Sequence, residues 1–236
     1  MTLLIDIGNT SAKLAVASGG QFLHIEHKTE PWRDVFGRLT DTYPVSRCVI
    51  SNVAAEDSEL KAALSSQPIP VLWLNADTPC PLRNVPPGYG ADRLAADLGA
   101  IAQSSGHTLL VIDAGTCITY DLISRKRELL SGVISPGIQL RLWAMHEHTA
   151  LLPLFEAETV TPLMGHDTKT AMMSSAVHGT RFEVEGYIRS LLPLYPDLQV
   201  FLTGGNTFQL PPDLQNRAVH DTHLLFRGLL SLLDVS

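Results

Sequence analysis

Apolar and polar residues along the chain follow two periods. TLLID, residues 2–6, is a short apolar run that ends in an aspartate and meets a glycine, the pattern of a buried strand closing on a turn. AKLAVAS and QFLHIEHK flank Gly19-Gly20, a two-residue hairpin signal. Proline opens PWRDVFGRLTDTY, whose apolar residues recur at helical spacing. SRCVISNV then reads as a strand, EDSELKAALSS as a helix and VLWLN as a strand, giving the order βββαβαβ.

The same shape returns from His107. HTLLVIDAGTCITYDLI is an apolar run, an aspartate, a turn with Gly and Thr, and a second strand, and RELLSGVIS supplies a third. Helix follows from about Gly165 to Leu192, then the strand QVFLTGG and a last helix near LLFRGLLSLL. Asp6 and Asp113 head the two copies, a long-period duplication of the whole unit. The expectation is an α/β fold of two related domains, 1–106 and 107–236, with DTPCPLRNVPPGYG as a loop over their junction.

Composition narrows the setting. Hydrophobic residues make up 45% and charged residues 17%, and the net charge is −7. A diffuse acidic balance argues against nucleic acid, which needs clustered Lys and Arg, but leaves room for a small anion held by a few donors. Three widely spaced cysteines without a CxxC pair point to reduced thiols and a cytoplasmic protein. No leader pattern and no apolar run near the ~18 residues of a membrane span is present, so no membrane partner is expected.

Each aspartate ends a buried run, an expensive place for a charge unless something uses it. In LLIDIGNTSAK, Gly8 lets backbone approach a ligand, Asn9 and Thr10 add donors, and Lys13 adds a cation. Turn N–H groups can face an anion. A carboxylate beside phosphates requires a cation between them, and Mg²⁺ takes one or two carboxylates plus waters and phosphates. A nucleoside triphosphate held between the two aspartate turns satisfies all of this. No GxxxxGK[ST] loop and no GxGxxG is present.

Other stretches carry plainer alternatives. GYGADRLAADLGA places Asp92 and Arg93 at a helix start, where they read equally as a dipole-stabilised acid with a surface arginine or as an acid–guanidinium pair for a hydroxylated, anionic substrate. VISPG and LTGGN read first as turns. HExxH fails at Ala150, so His146 and His148 are surface or packing residues and no zinc site is expected. Trp32, Trp73 and Trp143 belong to a core or an interface.

In order, DIGNTSAK, GADR, DAGT, VISPG and LTGG resemble the type III pantothenate kinases, of the acetate and sugar kinase/Hsp70/actin superfamily of duplicated RNase H-like domains with a nucleotide cleft between them. The resemblance implies ATP-dependent phosphorylation of pantothenate to 4′-phosphopantothenate, the first committed step of coenzyme A synthesis. It implies that Asp6, Ile7, Gly8, Asn9, Thr10, Ser11, Ala12 and Lys13 bind ATP phosphates, with Asp6 on the Mg²⁺ side, and that Thr116 touches ATP. Gly90, Ala91, Asp92 and Arg93 would bind pantothenate, with Asp92 as the base, and Thr168 would join that pocket. Asp113 would hold K⁺ or NH₄⁺, and the protein would be a homodimer. Arg83 stands where the family often has tyrosine, while Tyr89 precedes Gly90 directly. Ser131, Ser175 and Cys117 also depart from the usual pattern. The rival readings are a kinase of the superfamily with another small hydroxylated substrate, and a nucleotide-binding accessory factor for transcription.

Overall fold

The structure is a computed structural model that describes residues 1–55, 57–158, 161–206 and 209–235. The chain divides into two compact units, Met1–Ser105 with His223–Ser236, and Gly106–Thr222. The first contains β1 (Thr2–Ile7), β2 (Ala12–Ser18), β3 (Gln21–His27), α1 (Trp32–Thr42), β4 (Arg47–Asn52), α2 (Ser58–Ser65), β5 (Val71–Trp73) and α3 (Ala91–Gln103). The second contains β6 (Leu109–Ala114), β7 (Cys117–Ile123), β8 (Leu129–Pro136), α4 (Ile138–Glu147), α5 (Thr168–Leu191), β9 (Gln199–Thr203), α6 (Pro212–Gln215) and β10 (Ala218–His220). Helix α7 (Leu224–Ser231) follows.

The duplication is complete at the level of strand order. One five-stranded sheet runs β3-β2-β1-β4-β5 and the other β8-β7-β6-β9-β10. In each, the first strand pairs antiparallel with the second and parallel with the fourth. The central strands TLLIDI and LLVIDA share one burial pattern, four buried positions, a half-buried aspartate and a buried end. Continuous apolar runs are what strands covered on both faces require.

In the first unit, Leu3, Ile5 and Ile7 pack with Trp32, Val35, Phe36 and Leu39 of α1 and Leu60 and Leu64 of α2. Alternation along the strand turns Leu4 and Asp6 to the other face. Helices α3 and α7 meet β1 and β4, and with α1 and α2 occupying the Leu3 face, they cover the Asp6 face. Asp57 starts α2 by accepting the Glu59 and Leu60 N–H groups at 2.9 and 3.1 Å. Asp167 starts α5 in a reciprocal box with Thr170.

The expected assignment of residues 107–236 to one half is corrected at its end, because His223–Ser236 lies with the first unit. The reason is backbone contact. A Cβ at Gly228 would overlap the Ala95 carbonyl oxygen, and one at Gly99 the Leu224 carbonyl oxygen. Helices α3 and α7 therefore press together without side chains between them. Short α6 and β10 were not expected from the pattern, and β5 is shorter than VLWLN. Trp32 is core, while Trp73 and Trp143 are partly exposed. Among the described residues, no helix is long and apolar enough to cross a membrane.

Candidate functional site

Register assembles the first cluster. Asp6 stands opposite Lys13 on β2 and beside Ser51 on β4. Direct ladder neighbours share a face, so ammonium, carboxylate and hydroxyl form a row. Helix α3, which meets β4, carries Asp92 in its first turn. Burial, and then the Asp92 charge, push the Asp6 carboxyl up to about 6, while the Ser51 hydroxyl and the Lys13 charge act the other way. Asp6 Oδ1 is buried without a hydrogen-bond partner, and Ser51 Oγ beside it completes no well-formed hydrogen bond either.

An orphaned buried carboxylate oxygen next to a hydroxyl and a second carboxylate is a hard, all-oxygen donor set, which fits a divalent ion such as Mg²⁺. Among the described residues there is no group of three or more His, Cys, Asp or Glu placed to hold a metal. A cation here would take most of its ligands from water and phosphate.

The Asp6 turn is partly self-satisfied. The Gly8 N–H donates to Ser11 O at 3.0 Å, so it closes the turn and is not among the donors facing an anion. Asn9, Thr10 and Ser11 are exposed beyond it, Ile7 is buried, and Ala12 and Lys13 begin β2. Gly90 is the extended N-cap residue of α3, and Ala91 is buried as its first residue. Asp92 Oδ1 accepts the Arg93 N–H at 2.7 Å. The Arg93 guanidinium lies 4.4 Å from the centre of the Tyr89 ring.

The second aspartate turn has different neighbours. Asp113 stands opposite Thr119 on β7 and beside Thr203 on β9, hydroxyls on both sides. The Gly115 N–H donates to Cys117 O at 3.0 Å, which closes a shorter turn and leaves Thr116 exposed. Two glycines back this turn. A Cβ at Gly137 would overlap Gly115 O, and one at Gly204, where φ is +96°, would come within 2.5 Å of the Ala114 backbone. VISPG and LTGG are therefore close-approach positions for the DAGT turn. Asn206 Nδ2 donates to Gly115 O at 2.6 Å and its N–H to Ala114 O at 2.8 Å. Ala114, Thr203, Gly204, Asn206 and Asp221 line a cavity there. Thr168 is the exposed first residue of α5, one position past the Asp167 cap.

Asp6, Lys13 and Asp92 thus come together in the first unit, and Asp113 and Thr116 share a turn in the second. Ser51, Thr119 and Thr203 escaped sequence reading, because strand pairing alone makes them neighbours of the aspartates. A pairing of SRCVISNV with TLLIDI would have found Ser51.

The type III pantothenate kinase family model matches residues 2–190. The chain belongs to the type III pantothenate kinase family. A Bacteroides fragilis type III pantothenate kinase is 38% identical over 237 residues, covering 99% of this chain and 98% of the relative. The Phocaeicola vulgatus type III pantothenate kinase is 37% identical over the same shares. Among solved structures, a Campylobacter jejuni protein described under the Baf family of transcriptional activators aligns with a TM-score of 0.61 at 22% identity, over 99% and 98% of the two chains. A ROK family glucokinase from Streptomyces griseus, solved with glucose and AMPPNP, aligns at 0.52 and 14% identity, over 100% and 98%. These two likenesses establish the fold. The two relatives establish the family over almost the full chain.

Proposed function

We infer that this chain transfers the terminal phosphoryl group of ATP to the primary hydroxyl of pantothenate, making 4′-phosphopantothenate for coenzyme A synthesis. The observation that carries the reading is the closeness of Asp92 to Asp6 in a chain of this family: an acid at a helix start stands near enough to a metal-suited carboxylate to raise it. In the step, the pantothenate oxygen bonds to the γ-phosphorus, the bond from that phosphorus to the β–γ bridging oxygen breaks, ADP leaves, and Asp92 accepts the hydroxyl proton. Protein groups in such transfers mostly position reactants and balance charge.

Asp6 through Lys13 is assigned to the ATP phosphates, with Lys13 as the point charge and Asp6 on the Mg²⁺ side. The bound Mg²⁺ would supply charge neutralisation on the phosphates. Gly90, Ala91, Asp92, Arg93 and Thr168 are assigned to pantothenate, and Thr116 to ATP. Asp113, flanked by Thr119 and Thr203, is assigned a monovalent cation, K⁺ or NH₄⁺, which suits oxygen donors carrying a single formal charge. A homodimer is supported by large apolar side chains on the second unit, where Ile134, Trp143, Leu151 and Phe182 are exposed. Three unpaired cysteines support a cytoplasmic setting.

Purified protein supplied with labelled pantothenate, MgATP and K⁺ should form labelled 4′-phosphopantothenate, and Asp92→Asn should lower turnover by roughly 10²–10⁴. Turnover by Asp92→Asn near that of the wild type would remove Asp92 from the base role. A second reading, a nucleotide-binding regulator, is favoured only by the description of the Campylobacter neighbour. Absence of product from wild-type protein, across a panel of hydroxylated substrates, would favour it.

A further inference from the structure

Arg93 rests on an aromatic plate that is itself anchored to a buried acid. Tyr89 is buried, and its hydroxyl donates to Asp97 Oδ2 at 2.7 Å. The Asp97 side chain is fully buried. Arg93 lies 4.4 Å from the Tyr89 ring centre on the ring face. Arg93 and Asp97 are four residues apart on α3 and so share one face of the helix. Here the Tyr89 ring is anchored at Asp97 and offers its face to Arg93.

This arrangement has a chemical consequence. Stacking engages the face of the guanidinium, while its N–H donors lie along its edge. A phenol that donates to a carboxylate is also more electron-rich, which strengthens the attraction of its ring for a cation. The hydrogen bond fixes where the ring stands, and the ring fixes the plane of the guanidinium. A buried carboxylate is costly to keep, and Oδ2 of this one accepts from the residue on which Arg93 rests.

We propose that Tyr89 and Asp97 are positioning residues, a buried dyad that sets the orientation of Arg93 for the anionic end of the acceptor substrate. The assignment rests on the reading of Gly90 to Arg93 as the pantothenate segment.

The test uses full-length protein in two measurements. In steady-state kinetics, Tyr89→Phe and Asp97→Asn should each raise KM for pantothenate about tenfold, the scale of a lost hydrogen bond to a charged group, with KM for ATP changing less than twofold. Once Arg93→Lys has removed the planar group, Tyr89→Phe should add no further effect, the non-additivity expected of residues acting through one partner. Equal effects on both KM values, no effect, or full additivity with Arg93→Lys would overturn the proposal.

The second measurement needs no turnover. The Arg93 side-chain Nε–H resonance of the free protein, identified by its loss in Arg93→Lys, should shift and exchange faster with solvent in Asp97→Asn and in Tyr89→Phe. An unchanged resonance in both variants would overturn the dyad. If wild-type protein failed to phosphorylate pantothenate, the substrate reading would fall, while this resonance would still decide whether the dyad orients Arg93.

Discussion

The two aspartate turns occupy the same place in two copies of one fold and are wired differently. In both, the acid is the fifth residue of a central strand, flanked by an antiparallel and a parallel neighbour. Around Asp6 those neighbours are Lys13 and Ser51, and around Asp113 they are Thr119 and Thr203. The first turn spans residues 8–11 and exposes three polar residues. The second spans residues 115–116 and is braced by Gly137, Gly204 and Asn206. The acid occurs in both copies, and the residues at the paired strand positions differ, as the proposed division of work between the turns requires. A cation next to the acid suits a site that receives phosphates, whereas hydroxyls suit one that holds a single positive ion.

Removing the first acid tests this division most harshly. Asp6→Asn should lower turnover by about 10²–10³, the scale of losing a preorganised electrostatic group, yet make the free protein more stable. The rise of the Asp6 carboxyl from 3.8 to about 6 corresponds to about 3 kcal/mol spent holding the charge at neutral pH. Thermal unfolding should therefore move up by several degrees, on the scale of roughly 2–4 °C per kcal/mol for a chain of this size. A variant that is both inactive and less stable would contradict the buried-charge account.

Next in size is the paired position. Lys13→Met should reduce kcat/KM for ATP by about 10- to 100-fold, the loss of a charge-assisted contact. Thr119→Val, the equivalent change in the second copy, should leave kcat/KM for ATP within roughly threefold at saturating K⁺ and raise the K⁺ concentration needed for half-maximal rate. Matching losses from the two substitutions would show that the copies do the same work.

The last effect is a pH slope. Because the Asp6 carboxyl is raised in the folded protein, the unfolded chain releases its proton first as pH climbs from about 4 to 6. Folded stability should fall across that window and level off above it, by about 3 kcal/mol in total. The difference in unfolding free energy between wild type and Asp6→Asn should carry this slope, and a flat difference would contradict it. Other carboxyls that are lowered, Asp57 by its cap bonds and Asp197 by Arg125 and Thr108, act in the opposite direction and cancel in that difference.

Local pattern made much of this molecule readable. The two aspartate-ended strands, the Gly19-Gly20 hairpin and the helices at Trp32, Ser58 and Ala91 follow from apolar period, turn residues and caps. The shared opening of the two halves, an aspartate-ended strand followed by two more strands, follows as well. Facts that arise when distant segments pair were out of reach. The return of α7 to the first unit depends on Gly99 and Gly228 allowing backbone contact, and an isolated glycine in a helical stretch does not announce its partner. VISPG and LTGG read as ordinary turns because their use, backing the DAGT turn, is a matter of what lies behind them. Within the site, residue types were legible and wiring was not. Asp6, Lys13, Asp92 and Asp113 stood out by their place after apolar runs or at a helix start, while Ser51, Thr203 and the Tyr89–Asp97 pair owe their place to register and burial.

The division of work between the turns is tested most directly by titrating ATP into Asp6→Asn and Asp113→Asn proteins by calorimetry, with Mg²⁺ and K⁺ varied one at a time. The account predicts that the first variant loses the Mg²⁺ dependence of ATP affinity and keeps the K⁺ dependence, and that the second does the reverse. Loss of the same ion dependence in both variants, or of neither, would contradict it.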